Sequence, residues 1–234
     1  MVEKNFVMES AYARERSLLK NVYLWMSLGL AITGVVALGI ASNPRLVIGL
    51  VSNPLLFFGV ILAEFGLVMY LSARIQTMSA GAATIAFATY AALNGVTLSL
   101  VFLAYTGTSI ASAFFITAGT FGAMSLYAIT TKRDLSGLGH YLMMGLLGLI
   151  IASVVNLFLR SSGMEWMISV VGVLLFVGLT AYDTQIIKNW SQQSAYTADE
   201  SIYIRISVIG ALKLYLDFIN LFLFFLRLFG RSRD

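Results

Sequence analysis

Cysteine is absent from the chain, so neither a disulfide framework nor a thiolate metal site can form, and a cysteine nucleophile is excluded. Histidine occurs once, as His140, with no second His, Cys or close carboxylate beside it. That argues against a transition-metal centre and leaves a hydrogen bond at a loop edge as its expected role. Proline appears twice, and charged residues make up 11% of the chain, where an ordinary soluble domain has about a quarter. No serine stands in a nucleophile-elbow setting, and no glycine loop has phosphate-binding spacing. GLLG and SGLGH read as packing or capping glycines.

What remains is overwhelmingly apolar. Hydrophobic residues make up 59% of 234 positions and mean hydropathy is +0.87, the composition of a chain that uses lipid as its solvent. The net charge of +4 comes from basic residues scattered through short connections and tails. A nucleic-acid surface would gather them on one face, so their expected work is orientation in the membrane. The opening MVEKNFVMESAYARERSLLK has mixed charges and no small-residue cleavage site, which reads as no removable signal peptide. Its stretch SAYARERSLLKNVYLW forms either a short amphipathic helix on the inner surface or a solvated basic flank.

A bilayer crossing needs about 20 mostly apolar residues. Seven stretches qualify, near 22–42, 54–73, 82–105, 109–130, 138–159, 166–187 and 206–229. Pro44 and Pro54 fall beside span ends, where a missing backbone donor does least harm. YTGTS, TTKRDLSG and RSSGME divide later spans, and 188–201 is the longest polar connection. Small residues four apart, such as Ala91/Gly95 and Ala118/Gly122, let helices approach closely in lipid.

With the N-terminus inside, nine cations lie inside: Lys4, Arg14, Arg16, Lys20, Arg74, Lys132, Arg133, Lys188 and Arg205. Five lie outside: Arg45, Arg160, Arg227, Arg231 and Arg233. The bias predicts a cytoplasmic N-terminus, although the tail departs from it. Only thirteen residues separate Lys213 from Arg227, about 20 Å of helix. Either both cations snorkel to opposite interfaces or the segment returns to its own side; a seventh crossing is the expectation.

Within the spans the ionisable side chains are Glu64, Asp183, Lys213 and Asp217, with Arg74 closing the second span. An ionised carboxylate at a helix centre costs about 2.5 kcal/mol or more, so such groups face a bundle interior and mark ion or proton paths. If Asp183 and Asp217 meet, they titrate as a unit. Sharing a proton, they hold their two helices together; ionised, they repel or attract a hard cation such as Ca²⁺. Two alternatives stand beside this. Lys213 and Asp217, four apart, can neutralise each other, and Asp183 can pair with Lys188 or Arg74. Glu64 is expected to hydrogen-bond Asn94, Asn156 or another polar group, or to serve as a further carboxylate along the path. Asn220 either orients Asp217 or packs.

GLTAYDTQ at 178–185, GALKLYLDFINLFLFFLRLFG at 210–230 and ITTKRDLSGLG at 129–139 resemble signature segments of the transmembrane Bax-inhibitor-motif family, specifically its bacterial inner-membrane members. The resemblance covers nearly the whole chain. It implies seven helices with the last one central and six around it, and a Ca²⁺ leak gated by pH through two aspartates that map onto Asp183 and Asp217. It also implies a latching arginine, for which Arg74 is the nearest match, and an acidic pore residue to which Glu64 is similarly placed. Lys213 departs from the pattern, since a fixed cation one turn before Asp217 weakens Ca²⁺ binding. Similar bacterial proteins are linked to membrane-protease control and stress survival, which needs no pore.

The expectation is therefore an all-α polytopic membrane protein with a cytoplasmic flank at 1–21, one seven-helix domain at 22–229 and a basic tail at 230–234. Its expected place is the bacterial inner membrane, with lipid as its surroundings. It is expected to be no enzyme, to carry no resident cofactor and to pass Ca²⁺ or H⁺, with Asp183 and Asp217 as both proton sensor and Ca²⁺ ligands. The rival is a non-conducting regulator that binds other membrane proteins such as a quality-control protease. An intramembrane protease is disfavoured because the GxGD pattern is missing.

Overall fold

A computed structural model describes residues 2–75, 77–194 and 199–231, with side chains from Arg14 onward. The side chain of Lys4, part of the 188–201 connection, and Arg233 with the end of the basic tail lie outside the described residues. Those described form helices and short connections, with no strand among them. The helices are α1 (Val2–Ala41), α2 (Pro44–Ser52), α3 (Pro54–Arg74), α4 (Ala80–Leu98), α5 (Val101–Ala104), α6 (Gly107–Thr130), α7 (Leu138–Leu159), α8 (Ser162–Ser194) and α9 (Glu200–Phe229).

Seven stretches of these are long and apolar enough to cross a membrane: α3, α6, α7, α8, α9, the Arg14–Ala41 part of α1, and Ala80–Ala104, which joins α4 to α5. They match the seven apolar runs of the sequence. The chain is a multi-pass α-helical membrane protein. Its last helix is the most buried: 72% of its apolar stretch is covered by protein, against 6% in α3 and α7.

The local chemistry sets most of the boundaries. Pro44 and Pro54 both stand in first helical turns, where the absent N–H would have no partner anyway. Asn43 and Asn53 cap those helices, accepting from the Arg45 and Leu56 amides at 3.1 and 3.2 Å. The third crossing is broken after Leu98. There Ser99 Oγ donates to the Val96 carbonyl at 2.6 Å, and the Leu100 amide turns to the Thr97 carbonyl at 3.2 Å.

Three features differ from the sequence expectation. The stretch between the prolines is the nine-residue helix α2, not a loop. The N-terminal flank is not a separate helix: α1 runs unbroken for 40 residues, about 60 Å, through flank and span together. Likewise α8 carries on to Ser194 and α9 begins at Glu200, so both extend past the expected ends.

By its contacts the chain divides into two units, and α8 and α9 contribute to both. The first gathers Met1–Tyr105 with Trp190–Tyr215. In it Gly95 lets α1 and α4 close up, since a Cβ there would lie 2.8 Å from the Thr33 carbonyl oxygen. Thr33 Oγ1 donates to the Ala91 carbonyl at 2.8 Å and lies 2.7 Å from the Tyr215 hydroxyl. Phe87 and Tyr90 pack edge-on against that fully buried tyrosine.

The second unit gathers Thr106–Asn189 with Leu216–Ser232. Phe114 and Phe121 of α6 meet Phe218 of α9 edge-on, with centroids 5.6 and 5.5 Å apart. Phe176 of α8 lies 5.8 Å from Phe224 of α9, over Gly172, where a Cβ would stand 2.7 Å from the Phe224 ring. Gly145 and Gly178 allow the same close approach between α7 and α8 through Leu175 and Leu142.

Candidate functional site

Asp183 and Asp217 both belong to the second unit and are both buried, at 6% and 4% exposure. Their relation follows from helix geometry and one aromatic contact. Seven residues make almost two full turns, so Asp183 shares a face of α8 with Phe176, and Asp217 shares a face of α9 with Phe224. Those two aromatic rings are in contact across the pair of helices. Consecutive crossings run in opposite directions, so seven forward on α8 and seven back on α9 move the same way. Ideal helix geometry therefore puts Asp183 and Asp217 at similar levels, each about 10 Å along its helix from the Phe176–Phe224 contact and on the face that carries it.

Around Asp183, α8 is polar where α6 and the following loop approach it. Thr180 and Thr184 are buried, Thr180 Oγ1 donating to the Phe176 carbonyl at 2.7 Å and Thr184 Oγ1 to Ser125 Oγ at 3.4 Å. Gln185 clamps the 131–137 connection: its Oε1 accepts from the Leu135 amide at 2.6 Å and its Nε2 donates to the Arg133 carbonyl at 2.9 Å. Lys188 Nζ donates to the Ile129 carbonyl at 2.6 Å, at the end of α6 where the helix dipole is negative. Leu135 completes the attachment by packing with Ala128, Ala181 and Met124. Within the loop the Ser136 amide, 2.9 Å from Asp134, and the Ser136 hydroxyl hold that exposed carboxyl below the usual carboxylate range.

The other expected site residues are distributed differently. Arg74 is exposed in the last turn of α3, in the first unit. Glu64 is half-buried in the middle of α3 and accepts from Thr97 Oγ1 at 2.9 Å, the further polar group that the sequence reading allowed beside Asn94 and Asn156. Asn156 instead accepts from the Ser161 amide at 3.0 Å, closing the turn into α8. Lys213 is half-buried one turn before Asp217. Asn220 Nδ2 donates to the Leu216 carbonyl of its own helix at 2.8 Å, the packing role of the two expected. His140 is exposed in the first turn of α7, with its ring edge-on to Tyr141 at 5.9 Å.

No group of three or more His, Cys, Asp or Glu gathers among the described residues. Sequence reasoning missed Gln185 and the Lys188–Ile129 contact. Their partners lie 50 and 59 residues away, a separation over which a hydrogen bond leaves no sequence pattern.

Seven long apolar helices, the last two each burying one acid, define a multi-pass helical membrane protein. The sequence comparisons then give the family. Residues 15–234 match the family described as inhibitor of apoptosis-promoting Bax1, and the chain belongs to it. The inner membrane protein YbhL of Escherichia coli K12 is 50% identical over 212 residues, covering 91% of this chain and 90% of its own. An uncharacterized protein of Borreliella burgdorferi is 46% identical over 227 residues, 94% of this chain and 97% of its own. One of Rickettsia prowazekii is 42% identical over 219 residues, 94% and 91%.

Proposed function

We propose that this protein is a pH-sensitive cation leak of the bacterial inner membrane, passing Ca²⁺, with Asp183 and Asp217 as its proton sensor. The observation that carries the reading is that both acids are buried, one in each of the two most buried spans. Burying ionisable groups in lipid-embedded helices is costly, and that cost is met where the groups handle ions or protons. A pair at one level titrates as a unit: with a shared proton the two helices are drawn together, and without it repulsion favours separation and a passing cation supplies the missing positive charge. The role is non-enzymatic. Likeness to YbhL supports the inner membrane, and the basic bias supports a cytoplasmic N-terminus. Arg74, exposed and in the other unit, enters the reading only as a partner that favours the closed form from outside the buried pair.

Calcium efflux from proteoliposomes across a pH series is the test. The wild type is expected to leak faster as pH rises through the pair's titration, and Asp183→Asn with Asp217→Asn to leak at a rate independent of pH. A pH profile unchanged in the double variant would remove the sensor. No flux at any pH in lipid alone would favour the regulatory reading, in which the chain binds other membrane proteins and conducts nothing.

A further inference from the structure

At the end of the first unit that carries the N-terminal helix, a cavity of about 230 Å³ opens between the end of α3, the end of α8 and the beginning of α9. It lies beside the extended part of α1, for Ser191 Oγ donates to the Glu15 carbonyl at 3.1 Å and Tyr203 Oη to Ser17 Oγ at 2.8 Å. Ile75, Ile206 and Ile209 form its apolar wall. Trp190, Gln193, Ser194 and Arg205 complete it, and none of its described lining residues is acidic.

This is the layout of a lipid interface rather than of a cofactor site. Pockets for whole small molecules run to about 300–1,000 Å³, so the cavity suits one segment of a chain. Ile75 follows the last turn of a 21-residue crossing, which sets the cavity at headgroup depth. An indole at that level is at home between hydrocarbon and water. Arg205, whose Nε donates to the Ser201 carbonyl at 3.2 Å, brings a planar cation suited to phosphate oxygens, and exposed Arg74 adjoins Ile75 in sequence. Basic pockets between spanning helices take anionic headgroups.

We propose that this cavity binds an anionic phospholipid, with the upper part of one acyl chain against Ile75, Ile206 and Ile209 and the phosphate at Arg205. The site is separate from the aspartate pair and does not rest on the leak. The occupant ties the end of α3 to α8 and α9 at one face of the membrane.

Trp190 is a built-in reporter, one of three tryptophans. Trp25→Phe and Trp166→Phe leave it alone in the full chain. That protein is placed in mixed phosphatidylcholine–phosphatidylglycerol vesicles of one composition, carrying bromine near the headgroup end of the acyl chains, either on the phosphatidylglycerol or on an equal fraction of the phosphatidylcholine. Brominated phosphatidylglycerol is expected to quench Trp190 as though enriched about fivefold over its bulk share, the factor that one arginine at a lipid surface supplies. Arg205→Gln should bring the two lipids to parity. Ile206→Phe, which fills the cavity and keeps the arginine, should also abolish the excess, and an unchanged helical circular dichroism spectrum shows each variant folded. Equal quenching by the two lipids in the parent protein, or an excess that survives Arg205→Gln, overturns the proposal. Excess inorganic phosphate should leave the quenching unchanged; relief by it would mean a soluble phosphate site and overturn the lipid assignment.

Discussion

Gln185 is the side chain whose loss should travel furthest within its unit. It satisfies a buried amide and a carbonyl of the 131–137 connection at once. Gln185→Leu keeps the volume and strands both groups, which should cost about 1–3 kcal/mol locally. Gln185→Glu keeps the acceptor for Leu135 and loses the donor to Arg133, so it should fall between. Because Lys132 and Arg133 lie in the connection, trypsin reads the result directly: cleavage there in detergent should be fastest in the Leu variant and intermediate in the Glu variant. Identical cleavage in all three would show that the Leu135 cluster holds the loop alone. Neither partner could be read from the sequence, because a glutamine's hydrogen bonds carry no periodicity and these span about fifty residues. Asp183 and Asp217 were legible for the opposite reason: a carboxylate inside an apolar run is conspicuous wherever its neighbours are.

Among the elements, those fixed by hydrophobic length were readable and those fixed by packing were not. Seven apolar runs became seven crossings because a bilayer demands that length and little else. The α2 helix escaped notice since nine residues between two prolines look like a loop, yet each proline begins a helix that an asparagine caps. The reach of α1 through its polar flank likewise leaves no apolar mark. Small residues four apart suggested close contact throughout, but contact proves selective. A Cβ at Gly95 would meet the Thr33 carbonyl oxygen at 2.8 Å and Val36 Cβ at 2.7 Å, whereas one at Gly148 meets nothing within 4 Å. Gly95→Ala should therefore destabilise by about 1–3 kcal/mol through forced separation of α1 and α4. Gly148→Ala should be neutral or stabilising by up to about 1 kcal/mol, the helix-propensity gain. Unfolding by denaturing detergent would separate them, and equal effects would mean that the α1–α4 contact yields without strain.

For the whole molecule the decisive element is the last helix, since the sequence left open whether it crosses or turns back. A segment that enters and leaves on one side must break its helix at depth, exposing backbone groups where no water can satisfy them. The α9 helix has no such break: it is continuous over 30 residues, about 45 Å, well beyond a hydrocarbon core of about 30 Å. Its length also resolves the short spacing between Lys213 and Arg227. Lys213 is half-buried near the middle of α9, while Arg227 is exposed near the far end with its guanidinium 5.6 Å from the Phe224 ring centre. With an odd number of crossings the two ends of the chain emerge on opposite sides. A reporter active only in the cytoplasm, fused before Met1 in one protein and after Asp234 in another, should be active in the first and silent in the second. A periplasmic reporter should give the reverse. Equal activity at both ends would require an even number of crossings, and with α9 unbroken the missing crossing would have to come from one of the earlier spans.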